Sequence, residues 1–332
     1  MHVRRSYAIL KRVFVAVPPY NDLMQHLSRH ALSVVTPFRL DLTVSALRRL
    51  PTNVVDVLTP NGEYVRALAG AHGPVIVRAS QARPDTLAVT IEGDARDAGE
   101  HERVLALVRR TLGVDRDLTH FSRAAAGIRW LSPLALRARG VKPPRYPTLW
   151  EAFVNAIVFQ QVSLNAASAI ARRLIMALGT PLKTTDTPLY LFPSGERVLN
   201  AEDDVLRASG LSASKIATLR RAGDALASGT LDEAMLEQRA STEAAALLRQ
   251  LKGIGPWTAT VILLRGLGRL DVFPMRDTSI ARNVALVAGQ MPLDVASVLA
   301  ALHPQQGMLY YHLLLARLEA RGELERASIP FG

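Results

Sequence analysis

The residues best suited to chemistry lie in Leu251-Lys252-Gly253-Ile254-Gly255-Pro256-Trp257-Thr258-Ala259, with Asp277 twenty positions after Trp257. Gly253 and Gly255 bracket a single apolar residue. Glycine there can take positive φ, and the missing side chains let another backbone come close. Pro256 marks a helix start, because its fixed φ and absent N–H suit a first helical position. The free N–H groups and dipole of such a start form an anion site, and a nucleic-acid phosphate fits it. Asp277 opens Asp277-Thr278-Ser279-Ile280 ahead of an apolar run. Aspartate is a favoured helix cap, and a helix N-terminus also favours the ionised carboxylate. Asp277 can therefore cap and act as a fixed negative charge at once; Asp271 is a weaker second candidate.

The elements that must position these groups are mostly helical. Ser241 or Thr242 caps a helix running to about Leu251, and Thr258–Leu267 forms the next, stopped by Gly268. Thr148-x-x-Glu151 is a capping box that opens a helix from Thr148 to Gly179, within which Gln160-Gln161 interrupts an apolar sequence. Leu199–Ser209, Ser214–Ser228, Asp294–Leu302 and a segment from Gly307 holding Tyr310, Tyr311 and His312 complete the helical part. Ahead of it the texture is β-like: Leu40–Val44 and Leu87–Ile91 alternate, Val75–Val77 is β-branched, and Asn61-Gly62 marks a turn. Glu100–Leu112 has the spacing of an amphipathic helix. Residues 1–30 form an arm of unknown role, either a short helix over Leu23–Leu32 or partly ordered. The expected fold class is thus a small α+β unit over 31–117 followed by a mainly α unit over 118–332.

The 332 residues, 49% hydrophobic and 21% charged, describe a globular chain with room for two or three cores. No run of eighteen apolar residues exists, so no membrane span is expected. The run Val13–Val17 is too short for a secretion signal, which points to a cytoplasmic protein. With no cysteine, disulfides, zinc–thiolate sites and cysteine-ligated iron–sulfur clusters are excluded. The net charge of +11 is uneven: residues 101–200 hold 14 Lys/Arg against 6 Asp/Glu. Arg123, Arg129, Arg137, Arg139, Lys142 and Arg145 follow one another without an acid, a field that suits a polyanion.

The string Leu-x-Gly-Ile-Gly-Pro-Trp-Thr-Ala, continued by Asp271-Val272-Phe273-Pro274 and Asp277, resembles the helix-hairpin-helix of the DNA glycosylase superfamily. Within that superfamily it is most similar to the AlkA-like 3-methyladenine DNA glycosylase II branch. The resemblance implies an AlkA-like N-terminal α+β domain and an all-α helix-hairpin-helix glycosylase domain of two subdomains around a cleft. It also implies a DNA repair enzyme that binds damaged double-stranded DNA as a monomer, everts an alkylated purine and hydrolyses its N-glycosidic bond. Asp277 is then the catalytic carboxylate beside an oxocarbenium-like sugar. Lys252, Gly253, Ile254, Gly255 and Thr258 are the DNA-binding hairpin, and Lys215 faces the DNA backbone. Gln160 and Gln161 fall on the family's A-I-x-x-Q-x-V/I-S segment, with Gln161 at the wedge position where the type member is apolar. Trp257, Tyr310 and Tyr311 are candidates for the base pocket, although Val261 replaces a family tyrosine. Trp257 occupies the place of the lysine used by strand-cleaving relatives, so the enzyme is expected to leave an abasic site. No cofactor is expected, and no side chain is expected to hold a metal; carbonyls of Leu251 and Gly253 are a possible monovalent-cation site. The alternatives are a non-catalytic helix-hairpin-helix DNA binder and a glycosylase for oxidised bases.

Overall fold

The computed structural model describes residues 26–93, 98–183, 188–275, 278–289 and 294–324. Strands β1 (His26–Ser33), β2 (Val57–Leu58), β3 (Tyr64–Ala69), β4 (Pro74–Arg83) and β5 (Thr86–Gly93) pair antiparallel in the order β1-β5-β4-β3-β2. Alternation decides the faces: Val75, Val77 and Ala79 of β4 and Leu87, Val89 and Ile91 of β5 are buried. Helices α1 (Leu40–Arg48) and α2 (Ala98–Leu112) accompany this sheet, and Val104, Val108 and Leu112 of α2 join its core.

Two expectations fail here, for one reason. Leu40–Val44 is the first half of α1 and not a strand, and the Leu23–Leu32 region holds β1 and not a helix. All nine residues of α1 are buried. Leu40, Val44 and Leu47 face the sheet core, whereas Leu42 and Ala46 enter the second core beneath the C-terminal helices. A helix buried on both sides is apolar on both sides, so five of its residues can mimic strand alternation. In β1 the hydrogen-bonded register with β5 prevails over the weak helical spacing.

Helices follow: α3 (Thr119–Ala126), α4 (Ser132–Arg137), α5 (Leu149–Val158) and α6 (Leu164–Leu178). A ribbon of β6 (Thr180–Leu182) and β7 (Leu189–Leu191) leads to α7 (Gly195–Leu199), α8 (Asp203–Ala208), α9 (Ala213–Ala227) and α10 (Glu233–Glu237). Then come α11 (Ser241–Leu248), α12 (Pro256–Gly266), α13 (Thr278–Ala288), α14 (Val295–Leu302) and α15 (Gly307–Ala320). None of the described helices is long and apolar enough to cross a membrane. The helix expected over Leu199–Ser209 is split, because Asn200, Ala201 and Glu202 separate α7 from α8.

Where one helix was expected over Thr148–Gly179, there are two. Thr148 caps α5 as expected, its hydroxyl accepting from the Glu151 N–H at 3.2 Å. The chain then leaves the helix at Phe159, Gln161 takes φ 55, and Ser163 caps α6 through the Ala166 N–H. The Glu151 carboxylate does not return to its own helix. It meets the Arg66 guanidinium of β3 at 2.5 Å, and Arg66 also meets Asp56 at 2.5 Å. All three are buried, and Tyr64 donates to Asp56 at 2.9 Å. This ion cluster ties the sheet to α5.

The basic stretch does not form one surface field. Lys142 is buried and donates to the Arg116 carbonyl at 2.7 Å, burial pulling its ammonium down to about 8. Arg145 pairs with Glu233 at 3.0 Å, and Arg137 lies 3.5 Å from Glu319. Half of the expected polyanion field is therefore already partnered within the fold, Lys142 and Arg145 inside it and Arg137 on its surface.

Candidate nucleic-acid interface

Six separate stretches of chain, the end of α1 with Arg49 among them, converge on an open cleft of about 1220 Å³. The α5–α6 turn brings Gln160 and Gln161, α9 brings Lys215 and Thr218, and the α11–α12 turn brings Gly253 to Thr258. Ile280, Arg282 and Asn283 of α13 and Tyr310 and Arg317 of α15 supply the facing wall.

The hairpin turn is longer than its sequence implied. Helix α11 ends at Leu248, three residues short of the expected stop, and Ile254 donates to the Leu251 carbonyl at 3.0 Å to close the turn. Only one of the two glycines needs its freedom. Gly253 has φ 102, and a Cβ there would lie 2.1 Å from the Thr218 hydroxyl oxygen of α9. Gly255 is the extended N-cap of α12, at φ −87 and ψ 178, and a Cβ there would meet nothing within 4 Å. The outer face of the turn is thus open, and no side chain caps the α12 N-terminus. Gly253→Ala is expected to cost about 3 kcal/mol from positive-φ strain and overpacking together. Chemical denaturation measures it, and a Thr218→Ala background should recover part of the loss; stability equal to the parent would refute the account.

Gln160 is the bracket that holds this turn. Its side-chain amide donates to the Gly253 carbonyl at 3.0 Å and to the Thr258 hydroxyl at 2.8 Å. Thr258 is 3% exposed, so its side chain faces inward to Gln160 and any contact it makes outward is through its backbone. Gln161 is exposed, at the tip of the α5–α6 turn in the left-handed region. The Lys215 ammonium donates to the Val158 carbonyl at 2.8 Å, stitching α9 to the end of α5, and burial lowers its pKa. It nevertheless lines the cleft.

Trp257 and Tyr310 line the cleft and are half-buried. Tyr311 does not join them. It is fully buried behind Tyr310, its hydroxyl donates to the Pro144 carbonyl at 3.0 Å, and burial pushes its phenol pKa up. Successive helical residues point 100° apart, so adjacent tyrosines cannot share one wall. His312 is buried against Phe121 with ring centroids 4.6 Å apart, and burial lowers its pKa to about 4. Val261 lies in the core. Lys252 is exposed beside the turn, outside the cleft-lining set. Asp271 is exposed, and its carbonyl accepts from Gln306 at 2.6 Å.

Asp277 lies outside the described residues. Helix α13 begins at the next residue in the chain and lines the cleft with Ile280, Arg282 and Asn283. Sequence reasoning missed Arg49, Phe159, Arg282, Asn283 and Arg317. Phe159 adjoins Gln160 and could have been found that way. Arg49 comes from the end of α1, and nothing in its sequence neighbourhood signals a cleft.

A tight glycine-hinged helix pair opening on a cleft in a helical body, beside a small antiparallel sheet, defines a helix-hairpin-helix protein. Residues 154–291 match the family model of the HhH-GPD superfamily base excision DNA repair protein. It is 32% identical over 243 residues to the probable bifunctional transcriptional activator/DNA repair enzyme AlkA of Mycobacterium tuberculosis, covering 71% of this chain and 47% of that protein. With the DNA-3-methyladenine glycosylase of Bacillus subtilis it shares 24% identity over 188 residues, covering 57% of this chain and 62% of the relative. The chain thus spans roughly half to three fifths of the length of these curated relatives. In fold it is similar to the 3-methyladenine DNA glycosylase from Archaeoglobus fulgidus, at TM-score 0.72 and 24% identity over 88% of this chain and 99% of that one.

Proposed function

We propose that this protein is a monofunctional DNA glycosylase that releases alkylated purines, of the 3-methyladenine and 7-methylguanine type, from double-stranded DNA. The observation that carries the reading is the open hairpin turn set against a cleft large enough for a purine. The uncapped N–H groups of α12 bind a strand phosphate, with Gly253, Ile254 and Gly255 admitting the backbone and exposed Lys252 adding charge. Gln161, at the tip of the α5–α6 turn, fills the gap that the everted nucleotide leaves. The carbonyls of Leu251 and Gly253 already accept from Ile254 and Gln160. Each retains one lone pair, which suits a monovalent cation completed by other oxygens.

An N-methylated purine is cationic and already a good leaving group, so no general acid is required. Its glycosidic bond breaks with positive charge building on the sugar, as in glycoside hydrolysis. The Asp277 carboxylate stabilises that charge and orients the attacking water. Trp257 and Tyr310 offer π faces to the cationic base. With Trp257 where a hairpin lysine would stand, no amine attacks the sugar.

Methylated duplex DNA supplies the test. The expected result is release of free methylated purine, an intact strand until alkali is added, and no adduct trapped by borohydride. A protein that binds the duplex and releases no base is a non-catalytic helix-hairpin-helix binder, and a trapped adduct would convert the assignment to a lyase.

A further inference from the structure

We propose that Arg49, supplied by the end of α1, is a base-recognition residue of the cleft. Its guanidinium donates to a carbonyl oxygen of the entering nucleotide and so favours purines that carry an O6 oxygen. The inference rests on the glycosylase reading above.

Arg49 lines the cleft and yet is 4% exposed, and its Nη1 has no hydrogen-bond partner among the described residues. The guanidinium carbon sits 3.7 Å from the ring centroid of Phe159, next in sequence to Gln160 and Gln161. The ring attracts the cation, but a ring face is a poor substitute for an oxygen acceptor. A desolvated charged donor without an acceptor is costly. An acceptor arriving in the cleft relieves that cost.

The backbone agrees. Arg49 has φ 65 and ψ −63, and Leu50 donates to the Arg48 carbonyl at 2.8 Å. This is a γ-turn of the strained hand, rare for a residue with a side chain. Strain of this kind gathers at ligand sites, where surrounding structure enforces it. Here the enforcing group is Arg265 of α12, wholly buried, donating to the Ala46 and Leu47 carbonyls at 3.0 and 2.7 Å. The second hairpin helix therefore grips the end of α1, and that end delivers Arg49 to the cleft.

A guanidinium is donor-only, so its partner must be an acceptor: a base carbonyl or a phosphate oxygen. Its seat over the planar Phe159 ring suits a planar base better than a tetrahedral phosphate. Both 7-methylguanine and 3-methyladenine are cationic when attached to the sugar, so repulsion by Arg49 is common to both. They differ at position 6, where guanine offers an oxygen acceptor and adenine an amino donor.

Arg49→Met keeps an aliphatic stem over Phe159 and removes the donors; Arg49→Lys keeps the charge and loses the fork. Release of both purines from methylated duplex is measured for wild type and variants, with affinity for a duplex carrying a tetrahydrofuran abasic analogue. Circular dichroism melts of each variant accompany the assays. In Arg49→Met the ratio of 7-methylguanine to 3-methyladenine release is expected to fall about tenfold, as for loss of a charge-assisted hydrogen bond, with Arg49→Lys between. Affinity for the abasic duplex should fall less than about twofold, since no base is present to lose its hydrogen bond. An unchanged ratio in a folded, active variant overturns the inference alone, as does a loss of abasic-duplex affinity matching the loss of release, which marks a phosphate contact. Wild type releasing neither purine overturns the glycosylase reading and this inference with it.

Discussion

Asp277→Asn is expected to slow release of methylated purine by about 10²- to 10³-fold, the scale on which a preorganised electrostatic group contributes to a charged transition state. Affinity for an abasic duplex should change by less than about twofold, because on the proposed mechanism the substitution removes one negative charge and leaves the phosphate contacts in place. Asparagine suits this test, because it matches aspartate in shape and caps a helix start as well, so only the charge is lost. The reason to expect so large an effect is local. Helix α13 follows Asp277 directly in the chain and lines the cleft through Ile280, Arg282 and Asn283. A carboxylate at a helix start meets the favourable end of the dipole, which favours its ionised form. Single-turnover kinetics on a methylated duplex separate the chemical step from binding. A wild-type rate in Asp277→Asn would move the role elsewhere, and Asp271 would be the next residue to replace.

The hairpin was legible because its signals are local: a proline that opens a helix, a glycine that must take positive φ, and an apolar residue between glycines. Ile254 is buried and Gly253 has φ 102, as such a turn requires. The tie across it was not legible. Gln160 reaches residues 93 and 98 positions away in sequence, and nothing in its neighbours reveals that partner. The same applies to Lys215, whose type suggests a phosphate but whose nearest acceptor is the end of α5. Composition misled in a related way, since arginines that look like a polyanion field bind carbonyls and carboxylates within the fold. Alternation over five residues misread α1, because burial on two sides erases the polar stripe that distinguishes a helix. Residues that act through distant chain segments are visible only once the chain is folded.

The ion cluster on Arg66 yields the largest expected stability effect. Arg66→Met leaves Asp56 and Glu151 facing each other in a buried site, and breaking a buried charge pair in this way costs about 3–5 kcal/mol. The pH dependence gives the mechanism its signature. Burial already raises the Glu151 pKa against the pull of Arg66, and without the guanidinium that carboxyl takes up a proton more readily still. A carboxyl whose folded pKa is raised above its unfolded value, about 4.3 for glutamate, supports the folded state below that value. Its support is lost as pH rises through the folded pKa. The deficit of Arg66→Met relative to wild type is therefore expected to be smallest in mild acid and to widen towards neutral pH. Urea unfolding across that range tests it, and a deficit independent of pH would mean lost packing and not exposed charge. The effect should reach the cleft as well. Glu151 anchors the first turn of α5, and the far end of α5 runs into Phe159, Gln160 and Gln161. Loosening the cluster frees the strand-side support of the helix that braces the hairpin, so the variant should lose affinity for abasic duplex at neutral pH and regain part of it in mild acid.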